Sequence, residues 1–160
     1  MHTVQRDLAK SHDTELVYYD GTEELLPGYA VCYDPTASLT EGSDGFNEKV
    51  RGRVVAKPVT ANLKYFAGIV ITPPQKRVDP AGTYKGICTI AKLRAGTWVK
   101  ALVKSNATVG TTYLRVTNAG GFALIDEATA GTRTVDTLAI VGETADTSST
   151  AANKPVMGLL

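Results

Sequence analysis

The chain is short of the residues that do chemistry. Its two histidines, His2 and His12, both lie in a polar N-terminal stretch. A catalytic imidazole needs a fixed, partly desolvated place, so a site built on His12 and Asp13 is disfavoured. No CxxC, HxxxH or HExxH spacing occurs, and the acids do not follow an EF-hand loop. Glu41-Gly-Ser-Asp-Gly45 reads as a plain turn rather than a calcium loop. Gly28, Gly42 and Gly45 form neither a GxGxxG nor a P-loop pattern. Glu23 and Glu24 are adjacent, as are Asp126 and Glu127. On a strand each pair would point to opposite faces and could not act as a catalytic dyad. The expectation is a chain with no catalytic residues, no metal site and no cofactor.

Cysteine and long apolar runs are scarce as well. Cys32 and Cys88 each sit inside an apolar segment, Tyr29-Ala-Val-Cys-Tyr33 and Gly86-Ile-Cys-Thr-Ile90. They read as buried free thiols, which suits maturation in a reducing cytosol. No apolar run approaches the ~18 residues of a membrane-spanning helix, so no membrane partner is expected. Met1–Lys10 holds no apolar h-region, which argues against a secretory signal. Sustained i, i+3, i+4 periodicity is missing too, which excludes a helical bundle.

Short strands are what remain. Fifteen glycines and many Thr, Val and Ala residues favour them over helices. Strand-like runs fall at Tyr29–Tyr33, Lys49–Lys57, Tyr65–Thr72, Tyr84–Ala91, Thr97–Lys104, Thr111–Thr117 and Phe122–Ile125. Asn118-Ala-Gly-Gly121 is a hairpin signal between the last two. Trp98, Lys100, Leu102 and Lys104 share one face of their strand; Val99, Ala101 and Val103 share the other. Trp98 reads first as a core anchor at a barrel mouth, and otherwise as an interface hot spot. Gly142–Lys154 reads as a polar loop and Pro155–Leu160 as a closing strand. Strands every 8–15 residues with turns between them predict an all-β small barrel or sandwich. No internal repeat is visible. Residues 1–26 read as an extended N-terminal arm, with one strand at Glu15–Tyr19, and residues 27–160 as a single barrel-like domain.

Charge is sorted into blocks. Residues 1–48 carry a balance of −8, residues 49–115 of +12, and residues 116–160 of −3, summing to +1. Such sorting points to nucleic acid, a neighbouring subunit, or another part of the same chain as the partner. The basic block also holds Tyr65, Phe66, Tyr84, Trp98 and Tyr113. A barrel exposing aromatics and bases would bind single strands, which makes a nucleic-acid-binding module the alternative reading. It is disfavoured, because the bases alternate with apolar residues as on any solvated sheet and no RNP-like or GXXG motif occurs.

From Leu26-Pro-Gly-Tyr-Ala-Val31 onward the chain resembles the head decoration, or capsid cement, proteins of tailed bacteriophages. The resemblance rests on Val54-Val-Ala-Lys-Pro58 before Phe66-Ala-Gly-Ile-Val70, and on Gly82-Thr-Tyr-Lys-Gly-Ile87 before Ala95-Gly-Thr-Trp-Val-Lys-Ala-Leu-Val103. Thr108-Val-Gly-Thr-Thr-Tyr-Leu114, a Gly-rich hairpin, Leu138-Ala-Ile-Val141, a polar loop and a short apolar end complete it. It implies a small β-barrel or β-tulip with an N-terminal arm. It also implies a homotrimer that binds the major capsid protein and does no chemistry. The protein would be made in host cytoplasm and placed on the outer surface of the virion. Leu8, Leu16, Val17, Tyr18 and Tyr19 are the expected apolar anchors of the arm on the capsid or on a neighbouring subunit. Arg51, Arg53, Trp98 and Lys100 are the expected interface residues of the body. The acidic arm of one subunit is expected to lie on the basic body of the next.

Overall fold

The computed structural model describes residues 13–37, 53–75, 84–127 and 131–160. The expected arm anchor Leu8 and interface residue Arg51 lie outside the described residues, as do His2, His12 and the Glu41–Gly45 turn. Period-2 patterning does produce an all-β protein, but as two closed barrels rather than one.

Strands β1 (Thr14–Tyr19), β2 (Ala30–Tyr33), β3 (Arg53–Ala56), β4 (Phe66–Thr72) and β5 (Gly86–Ala91) close the first barrel in the order β1-β3-β2-β4-β5. Strands β6 (Trp98–Lys104), β8 (Tyr113–Arg115), β9 (Leu124–Asp126), β10 (Ala139–Val141) and β12 (Ala152–Gly158) close the second in the order β10-β12-β6-β9-β8. Two short strands, β7 (Asn106–Ala107) and β11 (Ala145–Asp146), pair beside it. A single 3-10 turn, Leu63–Tyr65, precedes β4.

The two barrels have the same connectivity, a repeat of topology without a visible repeat of sequence. In each, the first strand runs parallel to the third, β1 to β3 and β6 to β9. In each, it runs antiparallel to the fifth, β1 to β5 and β6 to β12. The second strand lies between the third and fourth, and the fourth pairs with the fifth. The chain is a tandem pair of one five-stranded topology.

Of the expected arm over 1–26, the described part places the expected strand at Glu15–Tyr19 in the first barrel. Val17, Tyr18 and Tyr19 pair with Arg53, Val54 and Val55 on one side and with Cys88, Ile87 and Gly86 on the other. All three are buried. Alternation turns Val17 and Tyr19 into the barrel, where they meet Val31, Val55, Val70, Cys88 and Ile90. Strand β1 is a stave of the first barrel, which ends with β5, and the second barrel begins with β6.

The barrels share their cores. Val31 fills the first barrel, while its neighbours Ala30 and Cys32 join Ala101, Val103, Leu114, Leu124, Ala139 and Val156 of the second. Strand β2 is thus buried on both faces, which explains its unbroken apolar run. Phe122 reaches back from the second half, stacks on Tyr29 at 4.8 Å and belongs to the first core. Backbone bonds tie the seam: Leu102 N–H donates to Gly28 C=O at 2.7 Å, and Ala30 N–H to Phe122 C=O at 2.9 Å. Gly28 has φ +93°, and a Cβ there would lie 2.2 Å from Asn153 Oδ1, so only glycine fits the crossing.

Candidate functional site

Inward-facing positions continue past the apolar layer of the first barrel into a charged mouth. Glu15 stands two residues before Val17, Tyr33 two after Val31, Arg53 two before Val55 and Lys92 two after Ile90. Tyr33 Oη donates to Glu15 Oε2 at 2.6 Å. Lys92 Nζ lies 2.5 Å from the same oxygen, and Arg53 Nε 2.9 Å from Oε1. Lys92 also donates to Tyr33 Oη. The two cations sit over the Tyr33 ring, Arg53 at 4.7 Å and Lys92 at 4.8 Å. Burial pushes the Glu15 carboxyl up, but hydrogen bonds from Lys92 and Tyr33 and the charges of Lys92 and Arg53 outweigh it, leaving it below the usual carboxylate range. Burial pulls Lys92 down, and its bonds to Glu15 and Tyr33 reverse that to a raised value. Glu15, Tyr33, Arg53 and Lys92 thus pair with one another across the barrel mouth.

The charge blocks meet inside the chain. Acids of the segment around β1 pair with bases of the middle block: Asp13 with Arg94, Glu15 with Arg53 and Lys92, Asp20 with Lys85, and Glu23 with Lys57. Strand β1 lies between β3 and β5, so its acids are held against bases of β3 and of the segments that flank β3 and β5. Arg53, expected as an interface residue, is one of these partners. These acid–base pairs are made within one protomer.

Trp98 is not the core anchor that its sequence setting favoured. It heads β6, is 51% exposed, and leans on Gly142, where a Cβ would lie 2.3 Å from its ring. The indole walls a groove of about 460 Å³ between the barrels, with Pro27, Gly28, Val70 and Ile71 from the first and Val99, Lys100, Asn153 and Pro155 from the second. Ile71 is 38% exposed at its edge. Lys100 and Lys104 follow Trp98 on the outward face of β6, as its alternation predicts. Neither lysine is in an ion pair among the described residues. Of the expected anchors that are described, only Leu16 is largely exposed, on the outer face of the first barrel and apart from this groove.

A second inter-barrel groove of about 450 Å³ opens at the other end of β4, where Phe66 replaces Val70 and Ile71 as the lining residue. Over it stands a turn that sequence reasoning missed. Val135 is 97% exposed at its tip. Glu127, itself buried, accepts from Thr134 Oγ1 at 3.0 Å and Thr137 Oγ1 at 2.8 Å, and faces Arg115. Thr134 N–H donates to Thr137 Oγ1, and Asp136 N–H to Thr134 Oγ1. The Thr-Val-Asp-Thr spacing was the available signal, since such hydroxyls bond local backbone. The turn holds an apolar side chain out in water.

Among the described residues no group of three or more His, Cys, Asp or Glu could hold a metal, and no helix is long and apolar enough to cross a membrane. Cys32 and Cys88 are free and buried, and burial pushes both thiols up to about 12, far from the nucleophilic thiolate. The arrangement can bind by surface complementarity. Comparison with known proteins finds no matching family model, no matching curated protein and no matching solved structure.

Proposed function

We propose that this chain is a structural virion protein that decorates and stabilises a phage capsid. In this reading it binds between major capsid proteins on the outer surface, self-associates, as a homotrimer in the resembled family, and carries out no reaction. The observation that supports it most is the inter-barrel groove, where a half-exposed Trp98 and Ile71 leave apolar surface uncovered. Contiguous exposed apolar surface marks interaction sites, and tryptophan is enriched at binding hot spots. The resemblance over residues 26–160 supplies the partner. A ligand that binds only the assembled shell stabilises it by its binding free energy at each site, about 2–3 kcal/mol at a hundredfold excess over Kd.

Co-sedimentation with undecorated capsids tests this. Saturable pelleting with the shell is expected; protein left in the supernatant at every concentration would sink the reading.

One observation favours the nucleic-acid alternative: Trp98, Lys100 and Lys104 share an outward strand face, and exposed aromatics beside bases stack single strands. That module would shift single-stranded DNA at low salt and lose it steeply as salt rises. Most of the described bases of the middle block are instead engaged by acids of the same chain.

A further inference from the structure

We propose that a second copy of this chain docks head to tail, with the Val135 turn of one protomer seated in the Trp98 groove of the next. This deepens the self-association part of the reading above and does not depend on the capsid part.

Three observations carry it. First, knob and groove sit at opposite ends of one seam. Val135 stands over the groove at the Phe66 end of β4, and the Trp98 groove opens at the Ile71 end, roughly 15 Å along the strand. A contact between two such different patches is heterologous, and it either closes into a ring or runs on as a filament. Second, the chemistry matches. An exposed isopropyl group faces an apolar groove walled by Trp98, Ile71, Pro27 and Pro155. Beside the knob is the Asp136 carboxylate, and beside the groove is the Lys100 ammonium. Both are exposed, and neither is in an ion pair among the described residues. They carry opposite charge at the rim of the proposed contact, where charges set register and specificity. Third, the knob is organised before binding. The threonine bonds to buried Glu127 hold the turn in shape, so little ordering entropy is lost on docking.

Sedimentation equilibrium over a range of concentrations reads the contact. The wild type should associate reversibly. Val135→Asp and Ile71→Glu, both at exposed positions, should each weaken association by ~100-fold, as hot-spot losses do. Lys100→Glu and Asp136→Lys should each weaken it by ~10-fold, and the double variant should recover most of that loss. A mixture of the Val135→Asp and Ile71→Glu chains should form heterodimers although neither chain associates alone, because one intact knob and one intact groove remain. Thermal unfolding of each variant checks that it is folded.

Association unchanged in all four variants would overturn this interface and leave self-association standing on another surface. A wild type that stays monomeric throughout would overturn both, while capsid co-sedimentation still judges decoration separately. Variants that lose capsid binding but keep self-association would show the groove's occupant to be the shell, not a second copy. Failure of the mixture to pair would exclude the head-to-tail geometry.

Discussion

At Glu15 one carboxylate meets Lys92, Arg53 and the Tyr33 hydroxyl. Glu15→Gln removes the charge and keeps the shape, so it should cost about 2 kcal/mol, the worth of a hydrogen bond to a charged group. The pH dependence has a definite sign. The folded-state pKa of Glu15 is depressed, so its stabilisation is present above the unfolded value, about 4.3. That stabilisation is lost as pH falls through the folded pKa. Lys92 is raised, so its share is present below about 10.4 and is lost as pH rises through its folded pKa. Melting temperature against pH should fall more steeply for the wild type than for Glu15→Gln below about pH 4.3. Parallel curves would remove Glu15 as the cause. None of this mouth was legible in the sequence, because its four residues are scattered over 78 positions and meet only when four strands close.

Strand β1 decides how the chain is divided. With β1 as a stave of the first barrel, deleting residues 1–26 should unfold that barrel rather than release a dispensable arm. Val17→Asp, which puts a carboxylate among Val31, Val55 and Ile90, should cost at least about 3 kcal/mol. Far-UV circular dichroism and urea titration read both. A truncated chain with the wild-type midpoint would restore the arm reading. The sequence placed a strand at Glu15–Tyr19, but its acidic flanks, Asp13 and Asp20 to Glu24, resembled a solvated tail. Those acids are there to meet Arg94, Lys85 and Lys57. The β8–β9 hairpin was legible because Asn118-Ala-Gly-Gly121 marks its turn locally. Strand β12 was half legible. It begins at Ala152, inside the stretch that read as a loop, and carries Pro155. Pro155 lies one residue beyond the β10 ladder, which ends at Val156, and there its carbonyl accepts from Gly142 N–H, so its missing N–H is tolerated.

Across the molecule, the all-β class followed from patterning, while the duplication did not. The two halves keep strand order and direction but little sequence. The fourth strands, Phe66-Ala-Gly-Ile-Val70 and Leu138-Ala-Ile-Val141, are the nearest echo. Strand spacings differ as well, with 19 residues between β2 and β3 against eight between β8 and β9. Topology is set by which faces are buried, and many sequences satisfy that. The shared cores make the halves interdependent: Ala30, Cys32 and Ile69 complete one cluster and Phe122 the other. Calorimetry should therefore record one cooperative transition with equal calorimetric and van't Hoff enthalpies; two separated peaks would mean the barrels fold apart. The charge blocks, which first suggested an external partner, are largely spent inside the protomer. Among the described residues, the Trp98 groove and the Val135 turn leave apolar surface exposed, with Lys100 and Asp136 at their rims. The most direct measurement is cryo-electron microscopy of undecorated phage heads before and after adding this protein at saturation. Added density on the outer surface, at positions between capsid subunits and large enough for the two-barrel body, is the expected result. Identical maps with and without the protein would contradict a decorating role.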